Sequence, residues 1–215
     1  MQEALALPYI LDPANLQVDA VVSFVVVVLI TLTINAEAQA FMATILGDSR
    51  TGAKDRFHFI AFFHLDIWGA LCYLAGGFGW PRPIAIDESK FKYPGLYTFL
   101  TRLAGPVANL LLAGIVGSIV ALMKIVEFNP LVFVMLMGVN VTTAIYNLIP
   151  IPPLAGGALI SALMPKALDR VKWLFNLIGP YLIVTIIMLE RIKGELPFKG
   201  YLDPLVVAVF NFIIG

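Results

Sequence analysis

Between Asp19 and Asp48 the chain carries one ionisable side chain, Glu37, in a stretch dominated by Val, Ile, Leu, Ala and Phe. A run of that length and apolarity crosses about 30 Å of hydrocarbon as a single helix. Its second half departs from the pattern by placing Asn35, Glu37 and Gln39 where lipid offers no partner. A polar group in hydrocarbon costs free energy unless it is paired, so these three are candidates for function or for helix–helix contact.

Further apolar runs fall at 96–124, 130–149 and 171–190, with a shorter one at 201–215. Hydrophobic residues make up 60% of the 215 and charged ones 13%, with a mean hydropathy of +0.91. Soluble domains are about half apolar and about a quarter charged. The expected fold is an all-α polytopic membrane protein of about five spanning helices. It forms one integral domain over 1–215, with a core at 18–165 and a C-terminal helical pair at 166–215. Zero net charge gives no sign of a nucleic-acid partner, and a lone Cys72 excludes a disulfide framework or a cysteine-based zinc site. The stretch Met1 to Asp19 lacks Lys and Arg, unlike a cleaved signal peptide.

The run 57–80 holds His58, His64 and Asp66 and closes on Gly76-Gly77-Phe78-Gly79-Trp80-Pro81, poor material for a lipid-facing helix. Such backbone survives at membrane depth when buried in protein, which predicts a re-entrant segment. Charge agrees. With a segment that dips in and returns, Arg50, Lys54, Arg56, Arg82, Lys90, Lys92, Lys166, Arg170 and Lys172 share one face, with Arg102 near it. Lys124, Arg191, Lys193 and Lys199 then lie opposite. By the positive-inside rule the N-terminus is outside and the loops 47–57, 77–95 and 150–170 are cytoplasmic.

Spacing sorts the polar residues. Asn35 and Gln39, four apart, share a helix face, whereas Glu37 lies about 200° round from Asn35. Gly105, Asn109, Ala113 and Gly117 recur every fourth residue, a close-packing seam with Asn109 bonding across it. Pro106 is expected in the first turns of its helix, where its missing N–H matters less. His64 and Asp66 suggest a polar network bracing the re-entrant loop, and Asn140, Thr143 and Asn147 form a stripe. The turn 147–157 combines Pro150, Pro152 and Pro153 with Gly156 and Gly157, which forbids a continuous helix. Together Glu37, His64, Asp66, Asn109, Asn140 and Asn147 are expected to line a polar chamber open to the cytoplasm.

These motifs resemble the site-2 protease family of intramembrane zinc metalloproteases. Its members carry His-Glu-x-x-His on a first core helix, followed by Gly-Asp. A later helix ends in Asn-Leu-x-Pro-x-x-Pro-Leu-Asp-Gly. The chain shows, in the family's order, Gly47-Asp48, His64-Leu65-Asp66-Ile67-Trp68-Gly69, Phe78-Gly79-Trp80 and Leu103-Ala104-Gly105-Pro106-Val107-Ala108-Asn109. The run Asn147 to Gly156 completes it. The resemblance covers about residues 20 to 165. It places His-Glu-x-x-His on Asn35-Ala36-Glu37-Ala38-Gln39 and the aspartate ligand on Ala155. Both histidines have become amides and the general base has become Ala36. Zinc needs three protein ligands of nitrogen, sulfur or anionic oxygen, plus an open position for water.

The resemblance therefore implies a pseudoprotease without metal or cofactor, its degenerate catalytic positions being Asn35, Ala36, Gln39 and Ala155. Its expected work is that of a structural or accessory subunit of a bacterial plasma-membrane complex, or of a binder of transmembrane helices. Its partners are integral membrane proteins and the bilayer. Two other readings stand beside it. One is an active zinc protease with displaced ligands drawn from His58, His64, Asp66, Glu37 or Asp48. The other is transport of a small solute or proton, for which no inverted repeat speaks.

Overall fold

The computed structural model describes residues 6–12, 14, 16–49, 59–193 and 199–215. His58 and most of the 47–57 loop, with Arg50, Lys54 and Arg56, lie outside the described residues. The rest is an all-α membrane protein: α1 Val18–Ile45, α2 Ile67–Gly76, α3 Pro94–Ile125, α4 Leu131–Tyr146, α5 Ala155–Leu163, α6 Asp169–Lys193 and α7 Lys199–Ile214.

α1, α3 and α6 are long and apolar enough to cross a membrane. α4 and α7, with 16 residues each, reach only about 24 Å at 1.5 Å per residue. Three of the expected spans thus have full length by themselves. α4 is instead the centre of the molecule. Every residue from Met137 to Tyr146 is buried, with α1, α3 and α7 packed around it. A helix apolar on all sides has no solvent or lipid face to spare, and its neighbours close over it.

The small-residue seam behaves as its spacing predicts, with Gly105, Asn109, Ala113 and Gly117 all buried on α3. It serves more than one neighbour: Gly105 meets the Asn35 side chain of α1, while Gly117 meets Ile213 of α7 and Met137 of α4. Pro106 is not in a first turn, because α3 begins at Pro94. Its missing N–H leaves the Arg102 carbonyl without its helical donor.

The segment around α2 is re-entrant. Asp66 caps α2 by accepting the Gly69 N–H at 2.8 Å, and Gly77, at φ 75°, ends it in a left-handed turn that glycine adopts without strain. The chain then runs straight back. Leu65 and Pro81 form an antiparallel bridge, and the Arg82 N–H donates to the His64 carbonyl at 2.7 Å. Entry and exit therefore lie side by side. At the tip, Gly77 rests on the Tyr9 carbonyl, and Arg191 Nε donates to the Ala75 carbonyl at 2.5 Å. That carbonyl belongs to the last turn of α2, where a cation is favoured.

The two C-terminal helices pack on different partners, α6 on α2 and α7 on α4 and α3. Tyr146 Oη donates to Asp203 Oδ1 at the start of α7, and Ile213 near its end reaches the Gly117–Met137 level. α7 is thus antiparallel to α4. The charge argument, which set Lys199 on the face opposite the 150–170 turn, requires the two to be parallel. The difference arises at Asp203, whose carboxylate is drawn to Tyr146 at the turn-bearing end of α4.

Candidate functional site

Asn35 and Gln39 project from one face of α1 toward α3, and both are buried. Arg102 Nη1 donates to Gln39 Oε1 at 2.8 Å, and its Nη2 reaches the Ile84 carbonyl at 3.3 Å. A guanidinium only donates, so the Gln39 oxygen must face it and the Gln39 nitrogen must face away. That nitrogen donates to Asn35 Oδ1 at 2.7 Å. Asn35 Nδ2 donates in turn to Asn109 Oδ1 at 2.6 Å, and Asn109 Nδ2 to Asn140 Oδ1 at 2.7 Å and the Thr31 carbonyl at 3.1 Å. Asn140 Nδ2 closes the series on Thr31 Oγ1 at 3.0 Å and the Leu136 carbonyl at 2.8 Å. One cation sets the direction of four successive amides across α1, α3 and α4.

Glu37 lies apart from this series, as its angular position predicts. Its Oε1 pairs with His64 Nε2 at 3.0 Å and accepts the Phe59 N–H at 3.1 Å. Phe59 takes a left-handed backbone, φ 44°, to make that contact. His64 therefore pairs with Glu37 rather than joining Asp66 in one network. Asp66 is engaged as the cap of α2. Asp48, buried at the end of α1, accepts the Asp87 N–H at 3.0 Å and fastens α1 to the turn before α3.

The predicted chamber divides into separate places. Asn109 and Asn140 are 0% exposed inside the amide series. Asn147 donates to the Thr143 carbonyl at 2.7 Å, while its own carbonyl accepts the Gly156 N–H at 2.9 Å and folds the proline turn back onto α4. The turn does approach α1. A cavity of about 10 Å³ is lined by Gln39, Arg102, Asn147, Ala155 and the Trp80-Pro81 exit of the hairpin, room for no more than about one water. Asn35 does not line it, being turned to Asn109 in the space beside Gly105. Asp66 instead lines a second cavity of about 400 Å³ on the far side of Trp80, Pro83 and Pro153.

These residues do not fit a zinc ion. Asn35 and Gln39 spend their oxygens on other donors, Ala36 and Ala155 present methyl groups, and the Arg102 guanidinium bonded to Gln39 repels a dication. Among the described residues no three His, Cys, Asp or Glu side chains converge. Arg102 and Thr31 escaped the sequence reading. Charge counting sets Arg102 only near the face of the loop charges, although it lies three and seven residues before Gly105 and Asn109, on their face of the helix.

No family model and no solved structure matches the chain. A Bacillus subtilis (strain 168) protein named "Putative zinc metalloprotease YwhC" is 33% identical over 150 residues, covering 66% of this chain and 68% of that protein. With the re-entrant hairpin, the Asn147–Gly156 turn and the buried α1 motif in place, this likeness makes the chain a member of that metalloprotease family.

Proposed function

We propose that the chain is a catalytically inactive member of this family that works by binding, as a structural or accessory subunit of a membrane complex or as a holder of transmembrane helices. The observation that carries this reading is the Arg102–Gln39–Asn35–Asn109 series. It consumes the polar groups at the resemblance's two histidine positions, beside methyl groups at the base and aspartate positions. Hydrolysis of a peptide bond needs a Lewis acid or nucleophile, an activated water and a proton acceptor. Saturated neutral amides supply none of these. In the proposed setting, a bacterial plasma membrane, the N-terminus is outside. The loops 47–57, 77–95 and 150–170 face the cytoplasm, in keeping with the contacts of Asp48 with Asp87 and of Gly95 with Ala162.

The test is metal content together with cleavage. Protein purified in mild detergent and lightly chelated is expected to hold far less than one zinc per chain and to leave a transmembrane-helix reporter intact. One tightly held zinc per chain with reporter cleavage would overturn the proposal. The second reading, a protease with displaced ligands, draws on the buried Glu37–His64 pair. It requires cleavage that disappears in Glu37→Gln. The transport reading draws least support, since Asn109 and Asn140 are fully enclosed and the cavity beside Gln39 is water-sized.

A further inference from the structure

The larger cavity, about 400 Å³, lies between the hairpin exit, the first half of α3, α5 and the first half of α6. That size is within the range of small-ligand sites, and the proposed function makes no use of it. Its lining carries two cations, Arg102 and Lys172, and two carboxylates, Asp66 and Glu88. Among the described residues no carboxylate comes within ion-pair distance of Arg102, whose bonds go to the neutral oxygens of Gln39 and Ile84. Thr98 also lines the cavity, and its buried hydroxyl oxygen has no partner among the described residues. A half-buried guanidinium with donors to spare and an unmatched hydroxyl both ask for an anionic oxygen.

A simple anion meets the two carboxylates, and a simple cation meets Arg102 and Lys172. A ligand carrying both signs a few atoms apart meets neither objection. Trp68 lines the same cavity and stands edge-on to Tyr181 on α6, ring centroids 5.4 Å apart. Paired aromatics with a neighbouring lysine are the furniture of a membrane–water boundary. We infer that this cavity binds the phosphoethanolamine headgroup of a membrane lipid. The phosphate lies toward Arg102, Thr98 and Lys172, and the primary ammonium toward Glu88 and Asp66.

The experiment is native mass spectrometry of the full chain released from nanodiscs of equimolar phosphatidylethanolamine, phosphatidylcholine and phosphatidylglycerol. Phosphatidylethanolamine is expected to be retained at least about fivefold over either competitor, because a quaternary ammonium cannot hydrogen-bond a carboxylate and glycerol has no charge for it. Glu88→Gln is expected to abolish the preference over phosphatidylcholine. Lys172→Gln, on a half-buried position at the cavity's edge, is expected to weaken retention of both zwitterionic lipids without unfolding the protein. Equal retention of all three lipids, or a preference for phosphatidylglycerol, overturns the proposal. So does a preference untouched by both variants. Soluble O-phosphoethanolamine competing as strongly as the lipid points to a soluble metabolite, and inorganic phosphate competing as strongly points to a plain anion site. Either result overturns the lipid assignment.

Discussion

Two polar regions lie on opposite sides of the wall formed by Trp80, Pro83 and Pro153, and Arg102 touches both. On one side its guanidinium terminates a series of amides that satisfy one another and leave a cavity of about 10 Å³. On the other side is a cavity of about 400 Å³ with charges of both signs and an unmatched hydroxyl. The difference lies in saturation. Where each donor already has an acceptor, a site is sealed and contributes to structure; where a buried hydroxyl lacks a partner beside charges of both signs that make no direct ion pair among the described residues, there is something left for a ligand to do.

The strongest way to break the sealed side is Gly105→Leu. The ideal Cβ position at residue 105 already falls on the Asn35 amide, so a larger side chain must push α3 from α1 or evict Asn35 from its bonds. Overpacking and a stranded buried amide together cost about 3 kcal/mol or more. The expected result is loss of folded protein, read as yield and thermal unfolding in detergent. Wild-type stability in this variant would mean that α1 and α3 do not close on each other here.

The next test asks whether Arg102 is what keeps the sealed side from holding metal. Asn35→His, Ala36→Glu, Gln39→His and Ala155→Asp together return the ligand set that the resemblance places there. With Arg102 in place the restored protein is expected to stay well below one zinc per chain. With Arg102→Met added, it is expected to approach one. A protein with the four changes alone that takes up stoichiometric zinc would show that the guanidinium swings aside at little cost.

How much of this was legible beforehand differs between the two sides. The seam on α3 and the pairing of Asn35 with Gln39 follow from periodicity, because positions four apart on a helix share a face, and the hairpin return follows from the polar, glycine-rich composition of 57–80 and the distribution of charge. Which element comes to meet that face does not follow from periodicity. His64 sits two residues from Asp66, and proximity in the chain suggested a shared network; the entry turn before α2 carries His64 to Glu37 instead, leaving Asp66 to cap the helix. Arg102 was hidden for a related reason. A lone arginine near a helix start looks like a loop charge until the helix is known to begin at Pro94 and to lay Arg102 beside Gln39.

Asn35→Ala measures how far the series acts as a unit. Spacing alone suggests a dispensable side chain. The structure gives Asn35 two partners, so its removal strands Gln39 Nε2 and Asn109 Oδ1 together. Each buried polar atom left unmatched costs about 1–3 kcal/mol, lowered where a water enters the new space. The expected loss is about 1–3 kcal/mol in chemical denaturation, and Asn35→Asp should not rescue it, because a carboxylate cannot donate to Asn109. A change below a few tenths would mean that the amides are independent pairs.

The smallest effect is expected on the far face of α1. Glu37→Gln keeps an oxygen for the Phe59 N–H and for His64 while removing the charge. Hydrogen bonds to a charged group contribute about 1.5–3 kcal/mol and neutral ones about 1 kcal/mol, so the loss is about 1 kcal/mol. It should be confined to the base of the hairpin. Hydrogen exchange is therefore expected to rise at Phe63, Leu65 and Arg82, while amides of α3 and α4 around Asn109 and Asn140 stay protected. This contrast separates the two faces of α1, since Asn35→Ala should loosen the second set and spare the first. If Glu37→Gln loosened both, the Glu37–His64 pair and the amide series would be one cooperative unit, and the sealed side would extend through α1 to the entry of the hairpin.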